Sequence, residues 1–207
     1  MNNILFYVVD SESADVVVLF HVGNKVKAKS FNKGLKLFMS KLFEKSQVDA
    51  GKARGAFINY GAKAKDLFGL LKYSKKSALR KAIQKWKPKP FRHSKANLAE
   101  GLRLARTKTF TKAEGSRLTD GVPSALILIT DMRSSSDLNI VSQEANQLKA
   151  MGVTLFTVGV DKADSNELIS ITSRPQNDYH HRSGSFLDLV KDKTVLTKIT
   201  NQIRACK

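Results

Sequence analysis

Residues 15–20, DVVVLF, form an almost wholly apolar run rich in β-branched side chains. That is the pattern of a strand covered on both faces, as in a parallel sheet. The period then changes: Phe31, Leu35, Phe38, Met39, Leu42 and Phe43 recur at helical spacing, which predicts a helix capped by Ser30 and running to Ser46. Residues 53–60 (ARGAFINY) predict a second strand and residues 65–70 a short third, close enough to pair as a hairpin around Gly61. Leu79, Ala82, Ile83 and Trp86 mark an amphipathic helix that Pro88 and Pro90 stop, and Leu98, Leu102 and Ala105 mark another.

Residues 124–130 (SALILIT) are the clearest buried strand, and the cluster Ser134, Ser135, Ser136, Asp137 reads as a loop entering a helix. Val141, Ala145, Leu148 and Met151 give that helix an apolar stripe, and Gly152 closes it. Residues 153–160 (VTLFTVGV) are the next strand. A short helix from Asn166, a weak strand near Tyr179 and a last helix carrying Leu189, Leu196, Ile199 and Ile203 complete the chain. Strands alternating with helices predict an α/β fold, a doubly wound sheet with helices on both faces. Residues 1–13 stand outside this scheme, as a linker or as an extra strand through residues 4–9; residues 14–207 form the domain.

Composition supports a sizeable core, with 42% hydrophobic residues and only 12 Gly and 4 Pro in 207 residues. No apolar stretch approaches the ~20 residues of a membrane span, so no membrane insertion is expected. A single cysteine, Cys206, excludes an internal disulfide and a Cys-based zinc site, while leaving a bridge to another chain open. Charge changes the picture more. Residues 24–95 carry 21 of the 36 Lys and Arg but only three of the 18 acids, Glu44, Asp49 and Asp66, so the whole net charge of +18 sits in that third of the chain. Lys33, Lys36, Lys41 and Lys45 fall along the outer side of the first helix, and Lys75, Lys76, Arg80, Lys81, Lys85, Lys87 and Lys89 crowd the second and its exit. These are the candidate polyanion-binding residues, against the plainer alternative of a solubilising face.

Lysine outnumbers arginine in this segment, and an ammonium lacks the planar fork suited to bidentate reading of bases or phosphates. Phe31, Phe38, Phe43, Phe57, Phe68 and Trp86 fall on core-facing phases, so no base-stacking platform is expected. Nucleic acid is therefore only a nonspecific alternative partner. The chain has no G-x-x-x-x-G-K-[ST], G-x-G-x-x-G or G-x-S-x-G sequence and no N-x-[ST] sequon. Nothing places Ser, His and Asp as a triad, and no enzyme activity is expected. His180 and His181 are adjacent, so on a strand they point to opposite faces and cannot chelate together; they are expected to end a strand with one side chain exposed.

The blocks SADVVVLF, SFNKGLKLFMSKLFEK, ARGAFINYGAKAKDLF, ALILITDMRSSSD and QEANQLKAMGVTLFTVGV, in that order, resemble a von Willebrand factor type A domain. The likeness runs from about Ser13 to Cys206 and is nearest to the domains of collagen type VI, matrilins and related matrix proteins. Similar domains serve some invertebrate matrices such as byssal threads and shells. The resemblance implies a Rossmann-like sheet, mostly parallel with one antiparallel edge strand, and a non-catalytic, secreted role in adhesion and matrix assembly. It also implies a divalent-ion site at the C-terminal edge of the sheet, built from D-x-S-x-S after the first strand, a later Thr, and an Asp after the fourth strand.

Carried over residue by residue, the first Asp of that motif falls on His21, the two Ser on Gly23 and Lys25, the Thr on Ala96, and only the last Asp matches, at Asp131. Magnesium wants hard oxygen ligands in near-octahedral geometry, so the expectation is a vestigial site with no metal and no cofactor, Asp131 paired with Lys25 or with backbone N–H groups. A competing register puts Asp10 and Glu12 at the metal edge, but it leaves 21 steps to Phe31 and strands DVVVLF as an extra element, whereas His21 lies the ten steps away that the family pattern wants. A second alternative is a transition-metal site of His21, His93 and Asp131. The expected partners are collagen or other matrix proteins, with sulfated polysaccharide or acidic matrix proteins on the basic segment. The alternatives are a metal-dependent, integrin-type ligand-binding domain and an intracellular nucleic-acid-binding protein.

Overall fold

The computed structural model describes residues 13–44, 46–87 and 95–205. The strand considered through residues 4–9, the Asp10 loop, and Lys45, Lys89, His93 and Cys206 lie outside the described residues. The strands are β1 (Ala14–Phe20), β2 (Ala53–Tyr60), β3 (Ala64–Phe68), β4 (Ser124–Met132), β5 (Val153–Lys162) and β6 (His180–Ser183). They form one six-stranded sheet in the order β3-β2-β1-β4-β5-β6. Every pairing is parallel except β2 with β3, the expected hairpin at the edge.

Alternation along the central strands divides the core in two. Val16, Val18 and Phe20 of β1 face one layer of apolar side chains, while Val17 and Leu19 face the other. The first layer is covered by α1, a helical rod made of Ala28–Ser30, a π-helical turn Phe31–Leu35 and Lys36–Leu42, and by α2 (Lys76–Lys85), α7 (Phe186–Lys191) and α8 (Lys193–Ala205). The second is covered by α3 (Leu98–Leu104, continued by a π-helical turn Ala105–Thr109), α4 (Leu138–Ala150) and α5 (Ser165–Ile171). The short α6 (Gln176–Tyr179) leads into β6 and sets Tyr179 edge-on against Phe156, ring centroids 5.0 Å apart.

Three local expectations are corrected. The rod α1 begins at Ala28 with extended Lys27 as its cap; Ser30 lies inside it in helical conformation and caps nothing. The rod also ends at Leu42, short of Ser46. His180 and His181 open β6 instead of ending it, and neither is exposed: His181 is buried, and half-buried His180 meets Thr157 Oγ1 at 2.8 Å through Nδ1. In addition, the expected single last helix is two, with Leu189 on α7 and Leu196, Ile199 and Ile203 on α8. Asp137 and Asp164 cap α4 and α5 through their carboxylates, and Asn97 caps α3. Gly152, at φ +94°, takes the left-handed turn after α4.

Two buried carboxylates tie the layers together. Glu144 of α4 accepts from Arg103 Nε at 2.7 Å and Arg106 Nε at 2.8 Å, pinning α3 to α4. Asp15, fully buried at the start of β1, accepts from the Arg117 backbone N–H at 2.7 Å and from its Nη2 and Nε at 2.6 and 3.0 Å. The same guanidinium reaches the carbonyls of Gly51 and Lys52, so one arginine fastens three chain segments at the N-terminal rim of the sheet.

Candidate functional site

Parallel strands bring their C-terminal ends to one rim, where residues from distant parts of the chain meet. After Phe20, the backbone of His21 keeps the β-ladder for one more step, donating to Ile129 O at 2.9 Å. This sets His21 beside Asp131 of β4. The imidazole Nδ1–H donates to Asp131 Oδ1 at 2.7 Å, and the Gly23 backbone N–H reaches both carboxylate oxygens, at 2.9 and 3.1 Å. His21 is fully buried and Asp131 is 9% exposed. The His21 ring leans on Tyr60 at 5.4 Å between centroids. Its Nε2 is buried and has no hydrogen-bond partner among the described residues.

Lys25 does not close this site. Of the two partners expected for Asp131, the backbone N–H is found, at Gly23, and the ion pair with Lys25 is not formed; exposed Lys25 lines an open groove of about 290 Å³ together with Asp131, Lys27, Ser30, Asp161 and Phe186. Asp161 sits at the register shift of β5 between the pairs Thr130–Gly159 and Met132–Lys162, at φ +52°, the one described non-glycine residue in the left-handed region. Ala96 is buried on the same rim. Its carbonyl accepts from Ser135 N at 2.9 Å and Ser134 Oγ at 3.1 Å, and Ser136 Oγ lies 2.7 Å from Asn97 Oδ1. The serine cluster thus knits the loop after β4 to the start of α3. Ser134 N also donates to Glu167 Oε2 at 3.0 Å, and burial pushes the Glu167 carboxyl up, with its Oε1 unpartnered. Sequence reasoning assigned nothing to Tyr60 or Glu167; an acid interrupting the apolar stripe of a short helix was the available signal for the second.

These residues do not fit a magnesium ion. A side chain at position 23 would place its Cβ 2.8 Å from Asp131 Oδ2, so the serine that relatives of this pattern carry there would require the Asp131 carboxylate to shift. His21, Gly23, Lys25 and Ala96 bring no side-chain oxygen to the site, and an imidazole proton and a peptide N–H take part of the carboxylate's accepting capacity. Among the described residues no group of three His, Cys, Asp or Glu side chains is placed to hold a metal ion. Of the alternative set of His21, His93 and Asp131, His93 lies outside the described residues.

The candidate polyanion residues divide. Lys33, Lys75, Lys81, Lys85 and Lys87 are exposed on α1, α2 and the flanks of α2, and Lys41, Lys76 and Arg80 are half-buried. Lys36 is a correction: it is 6% exposed, its Nζ donates to Gln84 O at 2.7 Å, and it sits 5.1 Å from the centre of the Phe31 ring. It is a staple between α1 and the C-terminal end of α2, where the helix dipole favours a cation. Burial, then the neighbouring Lys87 charge, pulls its pKa down. The exposed cations therefore lie together on the α1–α2 side of the first helical layer.

The von Willebrand factor type A domain model matches residues 15–200. This chain belongs to that family. It is similar to matrilin-1 of Gallus gallus, 27% identical over 94% of this chain and 37% of the relative, and to the collagen alpha-6(VI) chain of Homo sapiens, 29% identical over 92% of this chain and 8% of the relative. The chain thus spans about a third of matrilin-1 and a small part of the collagen chain. Among solved structures it is similar to proximal thread matrix protein 1 of the mussel byssus, at TM-score 0.81 and 25% identity over 94% of this chain and 48% of that one. A form of that protein with a zinc-occupied MIDAS motif matches at the same TM-score over 91% of this chain.

Proposed function

We propose that this von Willebrand A domain is a secreted, non-enzymatic adhesion and scaffolding module of the extracellular matrix, binding collagen or other matrix proteins without a resident metal ion. Its similarity to matrilin-1, a collagen VI chain and a byssal matrix protein supports the matrix setting, and no described helix is long and apolar enough to cross a membrane. Metal-independent attachment rests on one observation: the Asp131 carboxylate is engaged by the His21 imidazole and the Gly23 N–H. The exposed ammonium groups of α1 and α2 supply the attraction in its place, toward sulfated polysaccharide or acidic matrix proteins.

Reversing Lys75, Lys81, Lys85 and Lys87 to Glu tests that face. The expected result is elution from heparin at markedly lower salt, corresponding to a loss of about tenfold or more in affinity near physiological salt. The melting temperature should hardly change, because exposed substitutions are usually worth within about 0.5 kcal/mol. Unchanged retention would discard the basic face. Duplex DNA should compete with heparin without sequence preference; a strong preference would favour the nucleic-acid reading instead.

A further inference from the structure

At the rim opposite His21 and Asp131, the sheet loses a strand. β6 pairs with β5 only over Thr157–Val160, so the first residues of β5 lack a neighbouring strand on that side. The segment after α5 takes part of the open edge: Ser173 N donates to Leu155 O at 3.0 Å, and Ser173 Oγ accepts from Leu155 N at 2.9 Å. Between this segment, the C-terminal turn of α4 and the start of α6 lies an open pocket of about 570 Å³. Its size falls within the roughly 300–1,000 Å³ of small-molecule sites, far more than a lone inorganic oxyanion needs.

The lining is polar and its charge has one sign. Lys149 from α4 and Arg174 from the 172–176 segment both face the pocket, and no Asp or Glu lines it. Neither cation has a carboxylate partner among the described residues. Both cations line the same pocket, and burial, then the Arg174 charge, pulls the Lys149 pKa down. An anion between them would oppose that shift. Around them stand neutral groups that can donate and accept: the Asn146 and Gln176 amides and the Ser173 hydroxyl, whose own proton remains free once its oxygen has accepted from Leu155. Tyr179 adds an aromatic wall. This combination of two cations, several amides and hydroxyls, and one ring is the chemistry of acidic-sugar recognition. The pocket owes nothing to the lysine-rich segment: it lies at β5, across β4 and β1 from the strand β2 that α1 and α2 cover.

We infer that this pocket is a separate binding site for an acidic saccharide unit, its sulfate or carboxylate held between Lys149 and Arg174 and its hydroxyls met by Ser173, Asn146 and Gln176. It is independent of the α1–α2 face, and a long sulfated chain could engage both.

The test is a backbone-amide NMR titration with a heparin-derived sulfated disaccharide, alongside an unsulfated uronate disaccharide and sodium sulfate. Saturable shifts are expected at residues 149–154 and 172–176. Lys149→Gln and Arg174→Gln, each checked by its melting temperature, should each weaken the disaccharide by about tenfold, as for one lost charge-assisted hydrogen bond. The variant with Lys75, Lys81, Lys85 and Lys87 reversed should keep the response, which separates this site from the basic face. A stronger response to the sulfated sugar assigns the sulfate as the anchoring group; equal responses assign the carboxylate. Shifts confined to α1 and α2, shifts insensitive to both Gln variants, or sodium sulfate reproducing the disaccharide response at equal concentration would overturn the inference.

Discussion

His21→Ala should lower the stability of this domain by about 3 kcal/mol, from the cavity left by a fully buried ring and the loss of a hydrogen bond to a buried carboxylate. For a chain of this size that corresponds to a melting temperature lower by roughly 6–12 °C, read by calorimetry or thermal circular dichroism. Asp131 would keep the two contacts from Gly23 N but lose the imidazole N–H that donates to its Oδ1, in a site only 9% open to water. His21→Asp is expected to be worse without metal, because it sets two carboxylates against each other, and manganese should recover part of the loss. Adding Lys25→Ser should increase that recovery by supplying a hydroxyl and removing a competing cation. Position 23 would accept the other serine only with a shift of the Asp131 carboxylate. A His21→Ala variant as stable as the parent would show that the imidazole is a spectator.

Asp15→Ala is expected to cost as much or more, about 3–5 kcal/mol. Its carboxylate is fully buried and takes three hydrogen bonds from Arg117, one from the backbone and two from the guanidinium. Without it, the Arg117 backbone N–H loses its acceptor and the guanidinium keeps only carbonyl partners on Ala14, Gly51 and Lys52. The double variant Asp15→Ala with Arg117→Met should recover part of the loss, since replacing both members of a buried pair is far milder than orphaning one. Additive losses in that cycle, measured by urea unfolding, would mean that the two residues do not act as a pair.

The fold was legible because its central strands are read on both faces. DVVVLF, SALILIT and VTLFTVGV cannot be half-exposed strands, and the helical stripes between them leave little choice but a doubly wound sheet. Element ends were less legible. Ser30 has the chemistry of a cap, yet the tertiary pull of Phe31 and Leu35 into the core starts the rod three residues earlier. The lysines show the same limit. Spacing places Lys36 on the rod but cannot tell a lysine over water from one folded onto the end of the next helix, where Gln84 O and the Phe31 ring receive it. At the rim, the family resemblance implied which metal ligands would be missing, and it left Asp131 a choice between Lys25 and backbone N–H groups. The structure chose the backbone of Gly23 and added His21, a contact across 110 residues that depends on strand register. Asp15 was visible as an acid beside an apolar run, but nothing local pointed to Arg117. The pocket of Lys149 and Arg174 lay hidden for the same reason, since its walls meet where β6 begins only opposite Thr157 and leaves the start of β5 without a neighbouring strand.

The most direct test of the central claim is the melting temperature of the unmodified domain in magnesium, manganese or zinc, before and after chelator. Engagement of the Asp131 carboxylate by His21 and Gly23 predicts no shift, because a ligand stabilises only a folded state that binds it. A rise of several degrees that chelator reverses and Asp131→Asn abolishes would contradict the account.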